Sequence, residues 1–118
     1  MTNILINNAF GDDNAEKASI AFIVGGASAA RDGETAIFLT STGINLATKN
    51  GTNGLQAAGY KPLQELVRAF LDNGGILWVC KACTDAKGIT ADDLIEGAEI
   101  AGAGHTLGFI DNGAQVLM

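Results

Sequence analysis

The chain has 118 residues, seven Lys+Arg against thirteen Asp+Glu, a formal charge of −6, and is 47% hydrophobic but only 17% charged. That length suits one domain, residues 1–118, with a real hydrophobic core, and the composition excludes a disordered chain. The acidic balance argues against non-specific nucleic-acid binding, which needs a Lys/Arg footprint, so no nucleic-acid partner is expected. Mean hydropathy is positive, and surplus apolar surface on so small a chain belongs in an interface, so a homo-oligomer is expected. The opening MTNILINNAFGDD lacks the basic start and apolar stretch of a signal peptide. No run approaches the ~20 apolar residues of a membrane span, so no membrane partner is expected and the reading is cytoplasmic.

Asn3-Ile-Leu-Ile-Asn7 reads as a buried strand. Asp13 with Glu16 has the spacing of a capping box and predicts a helix running to about Arg31, closed by Asp32-Gly33. That helix is apolar nearly all round, which predicts burial on both sides. Thr35 to Leu39 is a second buried strand, followed by a short helical piece over Ile44 to Lys49. Pro62 suits the first turn of a helix carrying Leu63, Leu66, Val67, Phe70 and Leu71, stopped by Gly74-Gly75.

Ile76-Leu-Trp-Val-Cys80 is the third and most hydrophobic strand. A short helix over Lys81 to Lys87 ends at Gly88, and Thr90 with Asp93 opens another that reaches about Glu96. Gly97, Gly102 and Gly104 punctuate too often for a helix through Ala98, so a strand is expected near Ala98–Gly102. A helix over His105 to Ile110 and a closing strand Gln115–Met118 complete the chain. Repeated β-α units whose strands lack alternation predict a parallel sheet covered on both faces, a three-layer α/β/α architecture of flavodoxin/Rossmann type. Ligands and chemistry in such sheets sit outside the carboxyl ends of the strands, here Asn7–Gly11, Thr40–Gly43 and Cys80–Cys83.

Cys80-Lys81-Ala82-Cys83 is the most reactive-looking segment. Cys80 closes a strand and Cys83 lies one turn into the next helix, whose unpaired N–H groups favour thiolate, and Lys81 adds positive charge. The pair is not a secreted disulfide framework. One C-x-x-C and the lone His105 fall short of a zinc set, so no metal is expected, and no cofactor either, since no glycine motif for phosphate is present. His105 reads as a hydrogen-bonded or solvated side chain, and Lys81 and Lys87 more often as solvated charges than as anion ligands.

The tract Gly75–Cys80, then Ala86-Lys87-Gly88-Ile89, then Asp93–Ala98, together with Phe38–Gly43 and Ala114–Met118, resembles the DsrE/DsrF-like family over essentially the whole chain. The resemblance implies a five-stranded parallel sheet between helices and assembly as a homotrimer or homohexamer. It also implies a cysteine that carries sulfane sulfur as a persulfide between donor and acceptor proteins, and the matching position is Cys80. Cys83 departs from the single-cysteine carriers of the family. It is either structural or the second member of a dithiol–disulfide couple. A small-ligand module with inert cysteines is the third reading. The loop Thr42–Tyr60, with Ile44, Leu46, Leu55 and Tyr60, is the expected subunit contact.

Overall fold

The computed structural model describes residues 2–118. Five strands, β1 (Ile4–Asn8), β2 (Thr35–Leu39), β3 (Ile76–Cys80), β4 (Ala98–Ala101) and β5 (Gln115–Leu117), form one parallel sheet in the order β4-β3-β2-β1-β5. The helices are α1 (Ala15–Ala29), α2 (Leu63–Asp72), α3 (Lys81–Lys87) and α4 (Ala103–Asp111), with 3₁₀ turns at Ser41–Ala47 and Ala91–Asp93. The expected α/β architecture and the five parallel strands are therefore present.

Which helix covers which face follows from the strand order. From β1 to β4 the chain steps across the sheet in one direction. Right-handed crossovers then place α1 and α2 on the same face. The return from β4 to β5, at the far edge, runs the other way and puts α4 on the opposite face. The first face holds the larger core, in which Ile6, Ile37, Leu39, Leu77 and Val79 pack against Phe22 of α1 and Phe70 of α2. The two rings meet edge to face, with centroids 5.7 Å apart. The second face is thinner, with Leu5, Ala36, Trp78 and Ala101 packed on Phe109 of α4. One helix cannot cover five strands, and Val116 of β5 remains 53% exposed.

Several local expectations shift. Asn14, not Asp13, caps α1, accepting from the Lys17 N–H at 3.1 Å. Asp13 instead accepts from the Gly11 N–H at 2.9 Å and shapes the turn before the helix. The helix ends at Ala29 rather than Arg31. It is not buried on both sides within the chain, since Ile20 and Ile23 are exposed. The helical piece expected over Ile44 to Lys49 is the 3₁₀ turn Ser41–Ala47. The Thr90–Asp93 signal does form a capping box, but over a single 3₁₀ turn. Leu94 then leaves in extended form, its segment bridging antiparallel to Thr48.

Part of the loop Thr42–Tyr60 is turned inward. Ile44 and Leu46 are buried in the chain's own core and Leu55 packs against it. Their apolar surface is spent internally, so they offer little to a neighbour.

Adjacent glycines in α1 sit in opposite environments. A Cβ on Gly25 would come within 2.6 Å of Ile37 Cδ1 and 3.3 Å of the Phe70 ring, whereas one on Gly26 would meet nothing within 4 Å. Gly26→Ala is expected to stabilise by ~0.5–1 kcal/mol through helix propensity. Gly25→Ala is expected to destabilise by ~1–3 kcal/mol through overpacking. Urea unfolding of the two variants checks the difference in sign.

Candidate functional site

In an open parallel sheet a crevice forms where adjacent strands send their outgoing connections to opposite faces. Here that pair is β3 and β4. The first leads into α3, whose Cys83 packs against the larger core, and the second into α4 on the thin face. Cys80 is the last residue of β3 and pairs in register with Ala101, the last of β4. The strand order thus sets Cys80 at the one switch point of the sheet.

The three carboxyl-end loops singled out by the sequence converge. Gly43 N–H donates to Ala9 O at 3.2 Å and Thr40 N–H to Asn8 O at 3.1 Å, zipping the loop after β2 onto the loop after β1. The approach is close enough that a Cβ on Gly43 would reach Asn8 O at 2.5 Å. The loop after β2 then meets α3, where Ser41 N–H donates to Cys83 Sγ at 3.2 Å. Lys87 Nζ donates to Ser41 O at 3.1 Å. Ser41 itself holds a φ of 51°, a left-handed conformation that residues with a Cβ adopt rarely.

Both cysteines are free and half-buried. Burial pushes the Cys80 thiol above its ordinary value. The main-chain N–H of Cys83 opposes that rise, the Cys83 thiol adds to it, and the Ala82 N–H opposes it more weakly. This corrects the expectation of a lowered Cys80 pKa. α3 has only seven residues, so its dipole is small, and removal from water outweighs it. Lys81 is no help, because its ammonium turns along the helix to Asp85 Oδ2 at 2.7 Å, with both side chains exposed. Gly88 ends α3 in the left-handed conformation, φ 69°, as its place after Lys87 requires.

His105 lies across the switch point and is joined to neither thiol. Its Nδ1 accepts from Gly102 N–H at 3.4 Å, and its ring meets Trp78 edge-on at 5.7 Å. It caps α4, in keeping with the hydrogen-bonded reading. The best-formed cleft, about 360 Å³, lies elsewhere, between α2 and the segment before β4, lined by Lys49, Arg68, Leu71 and Glu96 among others. Neither cysteine lines it. The loop Thr40–Gly43 is among the expected places, but nothing in the sequence singles out Ser41 within it, and Lys87 reads there as a solvated charge. The i,i+4 spacing of Cys83 and Lys87 on one helix face was the available signal.

Fold and edge together define a doubly wound α/β protein with a thiol pair at its switch point. The family model described as the DsrE/DsrF-like family matches residues 3–118, and the chain belongs to that family. It is 33% identical over 107 residues to uncharacterized protein MJ0760 of Methanocaldococcus jannaschii, covering 91% of this chain but 39% of that protein. Uncharacterized protein MJ0989 of the same organism is 31% identical over 84 residues, 71% of this chain and 70% of its own. The chain therefore spans about two-fifths of the first relative and about two-thirds of the second. Among solved structures, MTH1491 from Methanobacterium thermoautotrophicum aligns with a TM-score of 0.74 at 16% identity, covering 99% of this chain and 98% of that one. The ychN protein from E. coli aligns with a TM-score of 0.69 at 19% identity over 99% and 100%. These two likenesses establish the fold. No described helix is long and apolar enough to cross a membrane.

The raised Cys80 pKa has a direct readout. Because burial favours the protonated thiol, its alkylation by iodoacetamide should rise with pH to a midpoint above that of a free cysteine peptide. Peptide mass spectrometry across a pH series measures it, and a midpoint at or below the free peptide's would contradict burial as the dominant influence.

Proposed function

We propose that the protein is a sulfur carrier in which Cys80 accepts sulfane sulfur as a persulfide and passes it to a partner thiol. The observation that carries this reading is the position of Cys80, a half-buried free thiol ending β3 beside β4 at the switch point. Membership of the DsrE/DsrF-like family supports it. In loading, the Cys80 sulfur attacks the outer sulfur of a donor persulfide. The donor sulfur leaves as a thiol carrying the Cys80 proton, and Cys80 becomes a persulfide. In delivery, an acceptor thiolate attacks that outer sulfur and Cys80 is released.

The second reading, a Cys80/Cys83 dithiol–disulfide oxidoreductase, is favoured by the nearness of the two thiols, with Cys83 acting on Cys80 through its side chain. The two readings separate on one variant. On brief incubation with a persulfide donor the intact mass should gain one sulfur atom, Cys80→Ser should abolish the gain, and Cys83→Ala should retain it for longer. Loss of loading in Cys83→Ala with the fold intact would promote the dithiol reading.

Assembly into a homotrimer or homohexamer is part of the proposal. The exposed apolar residues cluster on α4 and β5 (Leu107, Ile110, Val116, Leu117) and on α1 (Ile20, Ile23). Burying such area gains about 25 cal/mol per Å², and closed symmetry is the usual result for identical chains. Light scattering coupled to size exclusion should give a multiple of the 12.1 kDa chain mass, lowered by Leu107→Glu or Val116→Glu. A single-chain mass at micromolar concentration would sink the assembly.

A further inference from the structure

Ser41 is the strained point of the carboxyl edge, and two contacts from one helix hold it. Cys83 and Lys87 stand four residues apart on α3 and so share a face. The Cys83 sulfur takes the Ser41 N–H at 3.2 Å, and the Lys87 ammonium takes the Ser41 carbonyl at 3.1 Å. A left-handed non-glycine residue persists only where its surroundings over-determine it, and these two contacts do so from both sides of the residue. Lys81, on the same helix, is committed to Asp85, so Lys87 is the α3 cation that acts on the thiol edge.

We infer that Lys87 is a positioning residue for Cys83. By clasping the Ser41 carbonyl it keeps the Ser41 N–H on the Cys83 sulfur, and this sets Cys83 in place as the sulfur that discharges a persulfide from Cys80. The inference rests on the carrier reading above. An N–H aimed at sulfur favours its anion over its thiol. Cys83 is the sulfur of the pair that receives an N–H from outside its own helix.

The step is balanced. The Cys83 thiolate attacks Cys80 Sγ, forming the Cys80–Cys83 bond. The bond from Cys80 Sγ to the outer sulfur breaks, and its electron pair leaves on hydrosulfide, which keeps its proton. The outer sulfur is reduced to sulfide while the Cys83 sulfur is oxidised. An external thiol attacking Cys80 then reopens the disulfide, and Cys83 leaves as a thiolate onto the same N–H. A carrier so equipped either hands its sulfur to a docked acceptor or, with none present, releases it as sulfide and stops as a disulfide.

Lys87→Met keeps the aliphatic stem and removes the donor, and Lys87→Arg restores one. In a Cys80→Ser background, iodoacetamide labelling of Cys83 at pH 7 should slow about fivefold with Lys87→Met and recover with Lys87→Arg. In the full chain preloaded by a persulfide donor, Lys87→Met should slow sulfide release and disulfide formation by a similar factor while loading is unchanged. Both variants are checked for native circular dichroism, and the arginine rescue separates lost positioning from lost fold. An unchanged labelling rate in Lys87→Met overturns the clasp. Normal loading with unchanged sulfide release also overturns the inference while leaving the carrier intact. Failure of Cys80 to load at all sinks the carrier reading and the discharge step together, and the labelling rates still judge the clasp.

Discussion

Parallel neighbours in one sheet must be joined by crossovers, and a right-handed crossover chooses the face on which its helix lies. In this chain that constraint decides nearly everything else. Successive strands stepping one way from β1 to β4 commit α1 and α2 to one face, and the single reversed step to β5 sends α4 to the other. The thick core, the thin face and the crevice at β3 and β4 are consequences of one change of direction. Cys80 needs no special device to reach that crevice. It is the residue at which β3 ends.

The thin face shows the cost of that arrangement. Asn7, Phe38, Trp78 and Glu99 lie in register across four strands on the α4 side. Trp78 is 7% exposed because Phe109 and His105 close over it, at 5.5 and 5.7 Å between rings. Asn7 and Glu99, beyond the helix, are polar and exposed. Towards β5 the face stays apolar without cover. Polar residues at exposed row positions keep a half-covered sheet dispersed, and apolar ones invite a partner surface.

What could be read from the residues follows from how local the cause is. The run Ile76–Cys80, bounded by Gly74-Gly75 and followed by a seven-residue helix closed at Gly88, is legible because strand hydrophobicity and a left-handed cap are encoded within a few positions. The choice of a strand at Ala98 over a longer helix rested on closely spaced glycines, and Gly97 does hold a φ of 96°. Errors arose where partners lie far along the chain. Ile44 and Leu46 look available in a Gly- and Asn-rich loop, but long-range packing buries them. Lys81 looks closest to the thiols because it is adjacent in sequence, yet an i,i+4 carboxylate claims it. Lys87 acts across 46 residues through a backbone carbonyl, and Ser41 through an N–H that every non-proline residue possesses. The i,i+4 spacing of Cys83 and Lys87 marks a shared helix face but not the loop that the face meets.

The electrostatics of the pair then turn on a competition that residue type alone does not decide. A cysteine at the start of a helix is expected to ionise easily, but the expectation assumes that water or a long helix supplies the compensating dipole. At Cys80 the helix is two turns long and the sulfur is partly withdrawn from solvent, so desolvation wins and the proton stays. Cys83 sits in the same helix with a donor from another loop directed at it. Two identical side chains three residues apart therefore differ in environment because one ends a buried strand and the other faces a neighbouring loop. That difference arises from the fold rather than from the C-x-x-C spacing, and the proposed division of roles between the two thiols rests on it.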